Sequence, residues 1–587
     1  MESLKHECGV ALIRLRKPLA YYQEKYGTSR YALDKLYLLM EKQRNRGQEG
    51  AGLACVKLNV EAGNEFMFRE RKEGKSAIGD LFAAVNKESC QLDRPYIGEC
   101  YMGHLRYSTT GRAGISYVHP MLRRQNFRHN TLALCGNFNL TNVDEVFELL
   151  TAQGQHPRRT SDTTVLLEQI GYAFDMEPKR EDRLERVIAQ CASTWDGGYV
   201  LCGLLGNGEM FATRDPWGIR SAFCYEDDEI VVVASERPVI QTVMNVSIDS
   251  ITEMKPGESL IIGEAGELRR VQSLEPMPEQ TSCVFERIYF SRGSDRDIYT
   301  ERKALGAALA SRVSDSVGAD WQHSVFSFIP NTAEIAFMGL SDELTRRIIA
   351  EKYDRIRQGV DDATLRQILS LSLRVEKVTI KDIKFRTFIS ESGTRNELAN
   401  HVYDITYGTV EAEKDNLVVI DDSIVRGTTL RESIISILGR LKPKKLVIVS
   451  SAPQIRYPDF YGIDMSSIGD LIAFRAAVEL RGMEVVKDLY ERCKLQEDAP
   501  ADQVTNIVAE LYAPLSDQQI SDQICDLVRP ADSSFPIEII FQDLETLRAT
   551  IPAHRGDWYF SGNYPSVGGL RQLNKSFIAY YEALKNK

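Results

Sequence analysis

The stretch that decides the fold of the second half of the chain is LVVIDDSIVRGTTLRESIISILGRL, residues 417–441. A short apolar run, which we predict to be a strand, ends in the adjacent carboxylates Asp421 and Asp422. The loop SIVRG follows, and we expect Thr428 and Thr429 to open a helix whose apolar positions lie on one face. A strand, a loop and a helix in this order form the repeating unit of a parallel doubly wound sheet.

Three features of this loop predict one kind of ligand. Ligands of an open parallel sheet bind beyond the carboxyl ends of its strands. A helix N-terminus with free amides, Gly427 and two hydroxyls is suited to a phosphate. The carboxylate pair can accept hydrogen bonds from vicinal hydroxyls or hold magnesium. A ribose with a 5′-phosphate satisfies all three features; the alternative is that Asp421 and Asp422 only cap a turn and that Thr428 only caps the helix.

The remainder of the chain shows two patterns. In the first half, short runs such as GVALIRL and GYVLCGLLG alternate with helical stretches at 31–43 and 162–174, which indicates stacked antiparallel sheets with helices. The Pro- and Glu-rich strip SLEPMPEQTS, 273–282, is typical of a linker. Beyond it, apolar strands such as SVFSFI at 324–329 and KLVIVSS at 445–451 alternate with helices, which again indicates a parallel sheet.

Composition excludes several classes of protein. The 587 residues are 43% hydrophobic and 26% charged, as in globular proteins with several domains. A net charge of −11 argues against a protein that binds nucleic acid or a membrane surface through basic patches. No run of apolar residues is long enough to span a bilayer, and we expect a cytoplasmic location. The eleven cysteines include no CxxC pair, which disfavours a zinc ribbon or a disulfide framework.

Cys8 follows a leader, MESLKHE at 1–7, that is too polar for a signal peptide. If this leader were removed, Cys8 would carry a free α-amine beside its thiol. Such an amine, with a pKa of about 7.7 to 8.0, could take the thiol proton, so that one residue would serve as nucleophile and base. The alternative is that Cys8 is a small buried core residue.

Ten motifs occur in a fixed order along the chain. They are CGV at 8–10, RGQEGAGLA at 46–54, GHLRYSTTG at 103–111, LCGNFNLTN at 134–142, TSDTTVL at 160–166, RDPWGIR at 214–220, CVFERIYFSR at 283–292, VVIDDSIVRGTT at 418–429, APQIRYPDFYGIDM at 452–465 and IIFQDLETL at 539–547. The first six resemble the N-terminal-nucleophile glutamine amidotransferases, and the phosphate loop resembles that of type I phosphoribosyltransferases. Together they resemble the glutamine phosphoribosylpyrophosphate amidotransferases, the amidophosphoribosyltransferase family, over nearly the whole chain.

The resemblance implies a fold for each half. It implies a removable leader at 1–7 and an α+β glutaminase domain at 8–272, an αββα sandwich of the N-terminal-nucleophile class. It further implies an α/β type I phosphoribosyltransferase domain at 283–587, with a parallel doubly wound sheet and a C-terminal helical segment. The activity expected from it is the formation of 5-phosphoribosylamine from phosphoribosyl pyrophosphate, glutamine and water, with release of glutamate and pyrophosphate, the first step of de novo purine synthesis.

The resemblance also assigns residues to a glutamine site. Cys8 would attack the amide of glutamine. Arg106 would bind the α-carboxylate and Asp162 the α-ammonium group, while Asn137 and the backbone amide of Phe138 would form the oxyanion hole.

A second set of residues would bind phosphoribosyl pyrophosphate. Asp421 and Asp422 would bind the ribose hydroxyls and Mg²⁺, and Thr332 would meet the same metal. The 5′-phosphate would lie against the loop that runs from residue 423 to 429 and includes Ser423, Arg426, Gly427, Thr428 and Thr429.

The sequence departs from the family pattern at several places. The family's HNGNL is GNFNL here, with Phe138 where glycine is usual, and the pyrophosphate loop is PNTAE. The closing loop keeps RTFI at 386–389 but lacks the basic residues that usually follow, and 342–372 has the character of an insertion. Of the cysteines that would hold an iron–sulfur cluster only Cys283 is present, so we expect no cluster and a core position for Cys283.

Two other functions remain open from the sequence. The glutaminase half could serve a different acceptor, or the altered loops could leave a nucleotide sensor without transferase activity. The resemblance further implies a homotetramer that purine nucleotides inhibit.

Overall fold

A computed structural model of the chain describes residues 8–90, 94–107, 114–381, 403–427, 430–530, 533 and 535–585. Four sequence predictions lie outside the described residues. They are the leader 1–7, Thr428, Thr429 and the closing-loop motif at 386–389.

The described part of the first half contains two antiparallel sheets. Its strands are β1 Gly9–Leu15, β2 Gly50–Val56, β3 Met67–Glu73, β4 Cys100–Arg106, β5 Met121–Arg123, β6 Leu132–Leu140, β7 Gly197–Leu205, β8 Met210–Arg214, β9 Phe223–Glu226, β10 Ile230–Ala234, β11 Thr252–Glu253, β12 Glu258–Ile262 and β13 Leu268–Gln272. One sheet has the order β11-β9-β10-β1-β4-β2-β3, and the other has the order β13-β12-β8-β7-β6-β5. The helices are α1 Leu19–Tyr26, α2 Tyr31–Lys42, α3 Ala77–Ser89, α4 Val143–Ala152, α5 Asp162–Met176, α6 Arg183–Ala192 and α7 Arg237–Met244.

The strands alternate their side chains between two cores, as period-two patterning requires. Along β1, Val10 and Leu12 point into the core between the two sheets, where they meet Cys135 of β6. Ala11 and Ile13 point the other way, into a core that also contains residues of α2, α3 and α7. Helices α4, α5 and α6 cover the outer face of the second sheet. The layer order is therefore αββα, as predicted.

The described part of the second half is built on one parallel sheet. The strands of this sheet are β14 Ser324–Phe328, β15 Arg374–Val375, β18 Asn416–Asp421, β19 Lys445–Ser450 and β20 Ile537–Phe541. Two further strands, β16 Thr379–Lys381 and β17 Tyr403–Ile405, form a separate antiparallel pair. The helices are α8 Arg296–Ala308, α9 Ala310–Ser316, α10 Glu334–Arg357, α11 Asp362–Ser370, α12 Ser436–Gly439, α13 Ile472–Arg481, α14 Met483–Leu495, α15 Ala509–Tyr512, α16 Asp517–Val528, α17 Leu544–Thr550, α18 Trp558–Ser561 and α19 Val567–Lys585, with π-helical turns at Glu286–Phe290 and Leu430–Ile435.

The order of the parallel strands fixes where a ligand can bind. The sheet is β15-β14-β18-β19-β20, with every neighbouring pair parallel. In chain order this is 2-1-3-4-5, so the connections leave in opposite directions on either side of the gap between β14 and β18. Such a switch point opens a crevice at the carboxyl ends of the strands.

Helices cover both faces of this sheet, as the doubly wound prediction requires. Val418 and Ile420 of β18 pack in a core with residues of α9 and α10. Leu417 and Val419 pack on the other face, in a core that includes residues of α13, α14, α16 and α19. The charged stretch at 342–372 forms the end of α10 and all of α11. None of the described helices is long and apolar enough to cross a membrane.

Candidate active site

Cys8 directly precedes β1, at the edge of the gap between the two sheets. Its Sγ lies 3.7 Å from the carbonyl oxygen of Tyr107. Burial of the sulfur raises the pKa of the thiol to about 11; the positive charge of Arg106 opposes this rise, and the negative charges of Asp162 and Glu49 add to it. The fold therefore brings Arg106 and Asp162 into electrostatic range of the thiol, although they are far apart in the sequence.

Arg106 and Asp162 are held by their own elements. Arg106 ends β4, is buried, and has its guanidinium carbon 5.6 Å from the centre of the Tyr117 ring. Asp162 begins α5, where one carboxylate oxygen accepts a hydrogen bond from the Thr163 amide at 2.7 Å and from its hydroxyl at 3.3 Å. Burial raises the pKa of Asp162, while these bonds and the Arg106 charge oppose the rise. A cation and an anion beside one thiol suit the two charged ends of an α-amino acid.

Asn137 and Phe138 lie on β6 in regular pairing with β7, opposite Val200 and Tyr199. Asn137 is buried. The Phe138 ring stacks on the ring of His119, with centroids 5.9 Å apart and an interplanar angle of 17°. Phe138, at the position where glycine is usual, therefore leaves the pairing of β6 with β7 intact, and its ring packs on His119.

The predicted phosphoribosyl site lies at the switch point of the parallel sheet. Asp421 ends β18 and Asp422 follows it; the Asp422 amide donates to a carboxylate oxygen of Asp421 at 2.9 Å. The Ser423 hydroxyl donates to the Asp422 carboxylate at 3.0 Å. Burial, and then repulsion between the two carboxylates, raises the pKa of Asp421; burial also raises that of Asp422. Such an oxygen-rich, anionic pair suits a hard cation or sugar hydroxyls.

The loop after these carboxylates turns sharply at Gly427. This residue has φ of 75°, and a Cβ atom there would lie 2.9 Å from the side chain of Ile472, so glycine is required. The described helix then begins as a π-helical turn at Leu430. Arg426 donates to the Asp464 carbonyl at 3.1 Å, and its guanidinium lies 3.5 Å from the Asp464 carboxylate and 3.9 Å from the Asp470 carboxylate.

Thr332 lies on the loop after β14, on the other side of the switch point. The amide of Ile329 donates to the carbonyl of Ile420 at 2.9 Å, which keeps this loop beside the end of β18. The peptide bond between Pro330 and Asn331 is cis. Thr332 and the carboxylates of the phosphate loop are therefore at the same edge of the sheet.

Sequence reasoning missed two cations near the carboxylate pair. Burial lowers the pKa of Lys381, and the charges of Asp422 and Asp421 oppose this change. Burial likewise lowers the pKa of Arg302 to about 10, again opposed by Asp422. Both could contribute positive charge toward a pyrophosphate group. The sequence offered one signal for Lys381, which is a lysine at the end of a short strand before the RTFI motif. It offered none for Arg302, which lies within a helix and in no motif.

A cavity of about 1160 Å³ separates the two sites. Asp162 of the predicted glutamine site lines it on the side of the first half, and Asp470, 3.9 Å from the Arg426 guanidinium, lines it on the side of the second half. Helix α19 forms a further wall, with Gln572 and Tyr580 among its lining residues. The described residues therefore form one solvent-open cleft that reaches from Asp162 to the loop next to Arg426.

Cys283 lies in the core of the second half, as predicted, with 1% of its surface exposed. Its sulfur is 3.5 Å from the hydroxyl of Tyr559. In the described ranges no three His, Cys, Asp or Glu side chains are grouped so as to hold a metal.

Comparisons with known proteins agree with this arrangement. A family model described as a glutamine amidotransferase domain matches residues 113–242. The amidophosphoribosyltransferase of Escherichia coli K12 is 28% identical over 461 residues, which cover 76% of this chain and 81% of that protein. The amidophosphoribosyltransferase of Bacillus subtilis 168 is 29% identical over 462 residues, covering 77% and 83%.

Two solved structures share the fold over nearly the full length. The glutamine phosphoribosylpyrophosphate amidotransferase of B. subtilis, complexed with ADP and GMP, has a TM-score of 0.63 at 24% identity and covers 95% of this chain and 97% of its own. A structure described as the allosteric regulatory enzyme of purine biosynthesis has a TM-score of 0.65 at 24% identity, covering 95% and 96%. This chain is thus similar to the amidophosphoribosyltransferases along about three quarters of its sequence, and it shares the fold of the two solved structures in both halves.

Proposed function

We propose that this chain is a glutamine-dependent amidophosphoribosyltransferase, which makes 5-phosphoribosylamine, glutamate and pyrophosphate from phosphoribosyl pyrophosphate, glutamine and water. The observation that carries the proposal is one cleft that is lined by Asp162 on the side of the first half and by Asp470, 3.9 Å from the Arg426 guanidinium, on the side of the second half. This cleft would give a nitrogen released at the first site a route toward the second.

At the first site, glutamine binds with its α-carboxylate on Arg106 and its α-ammonium group on Asp162. After removal of residues 1–7, the α-amine of Cys8 takes the thiol proton and the sulfur attacks the side-chain amide carbon. Asn137 and the amide of Phe138 stabilise the oxyanion. The C–N bond breaks, the proton leaves with the nitrogen as ammonia, and water hydrolyses the thioester to glutamate.

At the second site, Asp421 and Asp422 accept hydrogen bonds from the ribose hydroxyls, and Ser423, Arg426 and Gly427 surround the 5′-phosphate. Thr428 and Thr429 are assigned to the same phosphate from the sequence. Ammonia attacks C1 of the ribose, and the bond from C1 to the pyrophosphate oxygen breaks. Lys381 and Arg302, whose charges act on Asp422, add positive charge near the carboxylate pair.

Mg²⁺ is part of the proposal because a buried, adjacent carboxylate pair needs a compensating cation. Asp421, Asp422 and Thr332 would hold it, and substrate oxygens and water would complete its ligands. When bound, it would neutralise charge on the pyrophosphate group.

Several further proposals rest on the family resemblance. We place the domain boundaries at 8–272 and 283–587, with a removable leader at 1–7. A cytoplasmic homotetramer inhibited by purine nucleotides belongs to the same proposal. Support for nucleotide inhibition is that the B. subtilis relative was solved with ADP and GMP.

The test is to measure glutamate release with and without phosphoribosyl pyrophosphate, and pyrophosphate release with and without glutamine. We expect each product to depend strongly on both substrates, because closure over phosphoribosyl pyrophosphate should activate the glutamine site. A rate of glutamate release that is the same with and without phosphoribosyl pyrophosphate would indicate a different acceptor. Release of neither product, with nucleotide binding retained, would indicate a sensor.

A further inference from the structure

Two buried histidines lie behind the glutamine site, and the mechanism above uses neither. His104 is on β4, two residues before Arg106, and His119 lies two residues before β5. Their exposed fractions are 0% and 8%. The two rings pack at a centroid distance of 4.2 Å with an interplanar angle of 36°.

The His119 ring is connected to the carboxylate of Asp162. Its Nε2 lies 2.7 Å from the Thr163 hydroxyl oxygen, and that hydroxyl donates to the Asp162 carboxylate. We assign the proton of His119 to Nε2, because a proton on Nδ1 would be a buried N–H without a partner among the described residues; Nε2 then donates to the hydroxyl, and the hydroxyl donates to the carboxylate. A chain of two hydrogen bonds thus runs from His119 through Thr163 to the carboxylate.

The His104 ring is connected to the oxyanion strand. Its Nε2 lies 3.1 Å from the carbonyl oxygen of Gly136, the residue before Asn137. A carbonyl can only accept, so His104 also carries its proton on Nε2. The Nδ1 atoms of both rings are buried without a partner among the described residues. Protonation there would bury an unpaired N–H, which keeps both rings neutral.

Phe138 completes the cluster. Its ring lies nearly parallel to that of His119, and a Cβ atom on Gly136 would come within 2.5 Å of it. The His119 ring therefore limits the positions open to Phe138, whose backbone amide is assigned to the oxyanion hole.

We propose that His104 and His119 are positioning residues of the glutamine site. His119 orients Asp162 through Thr163 and supports the ring of Phe138. His104 fixes the strand position of the oxyanion hole through Gly136. This inference rests on the proposed function, and it adds residues that no motif of the sequence assigned.

Two substitutions of His119 separate its two roles. His119→Phe keeps a flat ring against Phe138 but loses the donor to Thr163; we expect the KM for glutamine to rise about tenfold with little change in kcat, since the carboxylate loses its orientation. His119→Gln keeps an N–H donor but loses the ring; we expect kcat for glutamate release to fall about tenfold with little change in KM. In a Phe138→Gly background, His119→Gln should change kcat by less than about threefold, because the ring it supports is absent.

Ammonia-dependent transfer is the control, because it bypasses the glutamine site. It should be the same in the wild type, in the His119 variants and in His323→Gln, which changes a half-exposed histidine of the second half. Wild-type KM and kcat in both His119 variants would overturn the inference. Absence of both glutamine- and ammonia-dependent transfer in the wild type would instead overturn the proposed function.

A tautomer measurement tests the same inference without a substitution. In protein labelled with ¹⁵N on histidine, long-range ¹H–¹⁵N spectra should show His104 and His119 as neutral rings protonated on Nε2 at pH 7. Spectra of His104→Gln and His119→Gln assign the signals. A ring protonated on Nδ1, or a doubly protonated ring, would contradict the hydrogen-bond chains and with them the proposal.

Discussion

The guanidinium of Arg46, in the first half of the chain, forms a two-point contact with the carboxylate of Glu286, in the second half. The distances are 3.1 Å from Nη1 to Oε1 and 2.6 Å from Nη2 to Oε2. The Nε of Arg46 also donates to Glu236 at 2.7 Å. None of the Arg46 side chain is exposed. One fully desolvated cation therefore joins the two halves through Glu286, and Glu236 of the first half holds the same cation.

Arg46→Ala should lower the free energy of unfolding by about 3–5 kcal/mol, because it leaves two buried carboxylates without their cation. Denaturant titration would measure the change. The matched control is Arg124→Ala, which removes an ion pair to Glu65 whose side chains are 57% and 43% exposed; its effect should stay below about 1 kcal/mol. Equal changes in the free energy of unfolding for the two substitutions would show that the buried contact of Arg46 with Glu286 and Glu236 does not stabilise the protein.

Removal of the leader is open to direct measurement. Intact mass of the purified, active protein should correspond to loss of residues 1–7, because an α-amine on Cys8 is needed to take the thiol proton. Full glutamine-dependent activity in protein that keeps Met1 would refute the α-amine mechanism.

The pKa of Cys8 gives a prediction on pH. Burial raises it to about 11, so in protein that retains the leader only about one thiol in a thousand is ionised at pH 8. Alkylation of Cys8 by iodoacetamide should therefore accelerate about tenfold per pH unit from pH 8 and level off near pH 11. Cys90, which is exposed, serves as the internal reference for reagent access. A Cys8 rate that is already maximal at pH 8 would contradict this environment.

Substitution of the carboxylate pair should separate the two half-reactions. Asp421→Asn and Asp422→Asn should each raise the KM for phosphoribosyl pyrophosphate about tenfold or more, since each removes a charged acceptor for ribose hydroxyls and Mg²⁺. Basal glutaminase activity should remain. Asp228→Asn, at an exposed turn of the first half, should leave both activities unchanged. Unchanged transfer kinetics in both pair variants would discredit the site.

Asn139 joins the oxyanion strand to the wall of the cavity. Its side-chain amide donates to the carbonyl of Phe460 at 2.6 Å. Asn139→Ala should loosen this junction and let ammonia escape, so that glutamate release exceeds pyrophosphate release by about twofold or more. The comparison variant is Asn207→Ala, which removes side-chain bonds to Glu209 and Glu264 on a distant turn. A ratio near one in both variants would argue against a role for this contact.

Several strands of this protein could be predicted from its sequence, because they are signalled by residues that are neighbours along the chain. The apolar runs of β1, β14, β18 and β19 are signals that act within a few residues. The Asp421–Asp422 pair could be placed at a strand end because strand, loop and helix are contiguous there. Cys8, Arg106 and Asp162 were found through motifs rather than through geometry.

Other features depended on contacts between distant segments. The sequence did not explain why Phe138 stands where the family has glycine. In the structure its ring stacks on the ring of His119. The contact between Arg46 and Glu286 joins residues 240 positions apart, and no periodicity or motif signals such a pair.

By itself, then, the sequence determined the two sheet classes, the strand ends that carry the site residues, and the type of chemistry each motif can support, because these follow from neighbouring residues. Only the tertiary structure decided which distant side chains share a buried space: Lys381 and Arg302 beside the Asp421–Asp422 pair, the histidines behind the glutamine site, and the cavity between the halves. The physical reason is that desolvation and packing act on residues that meet in space, whatever their separation along the chain.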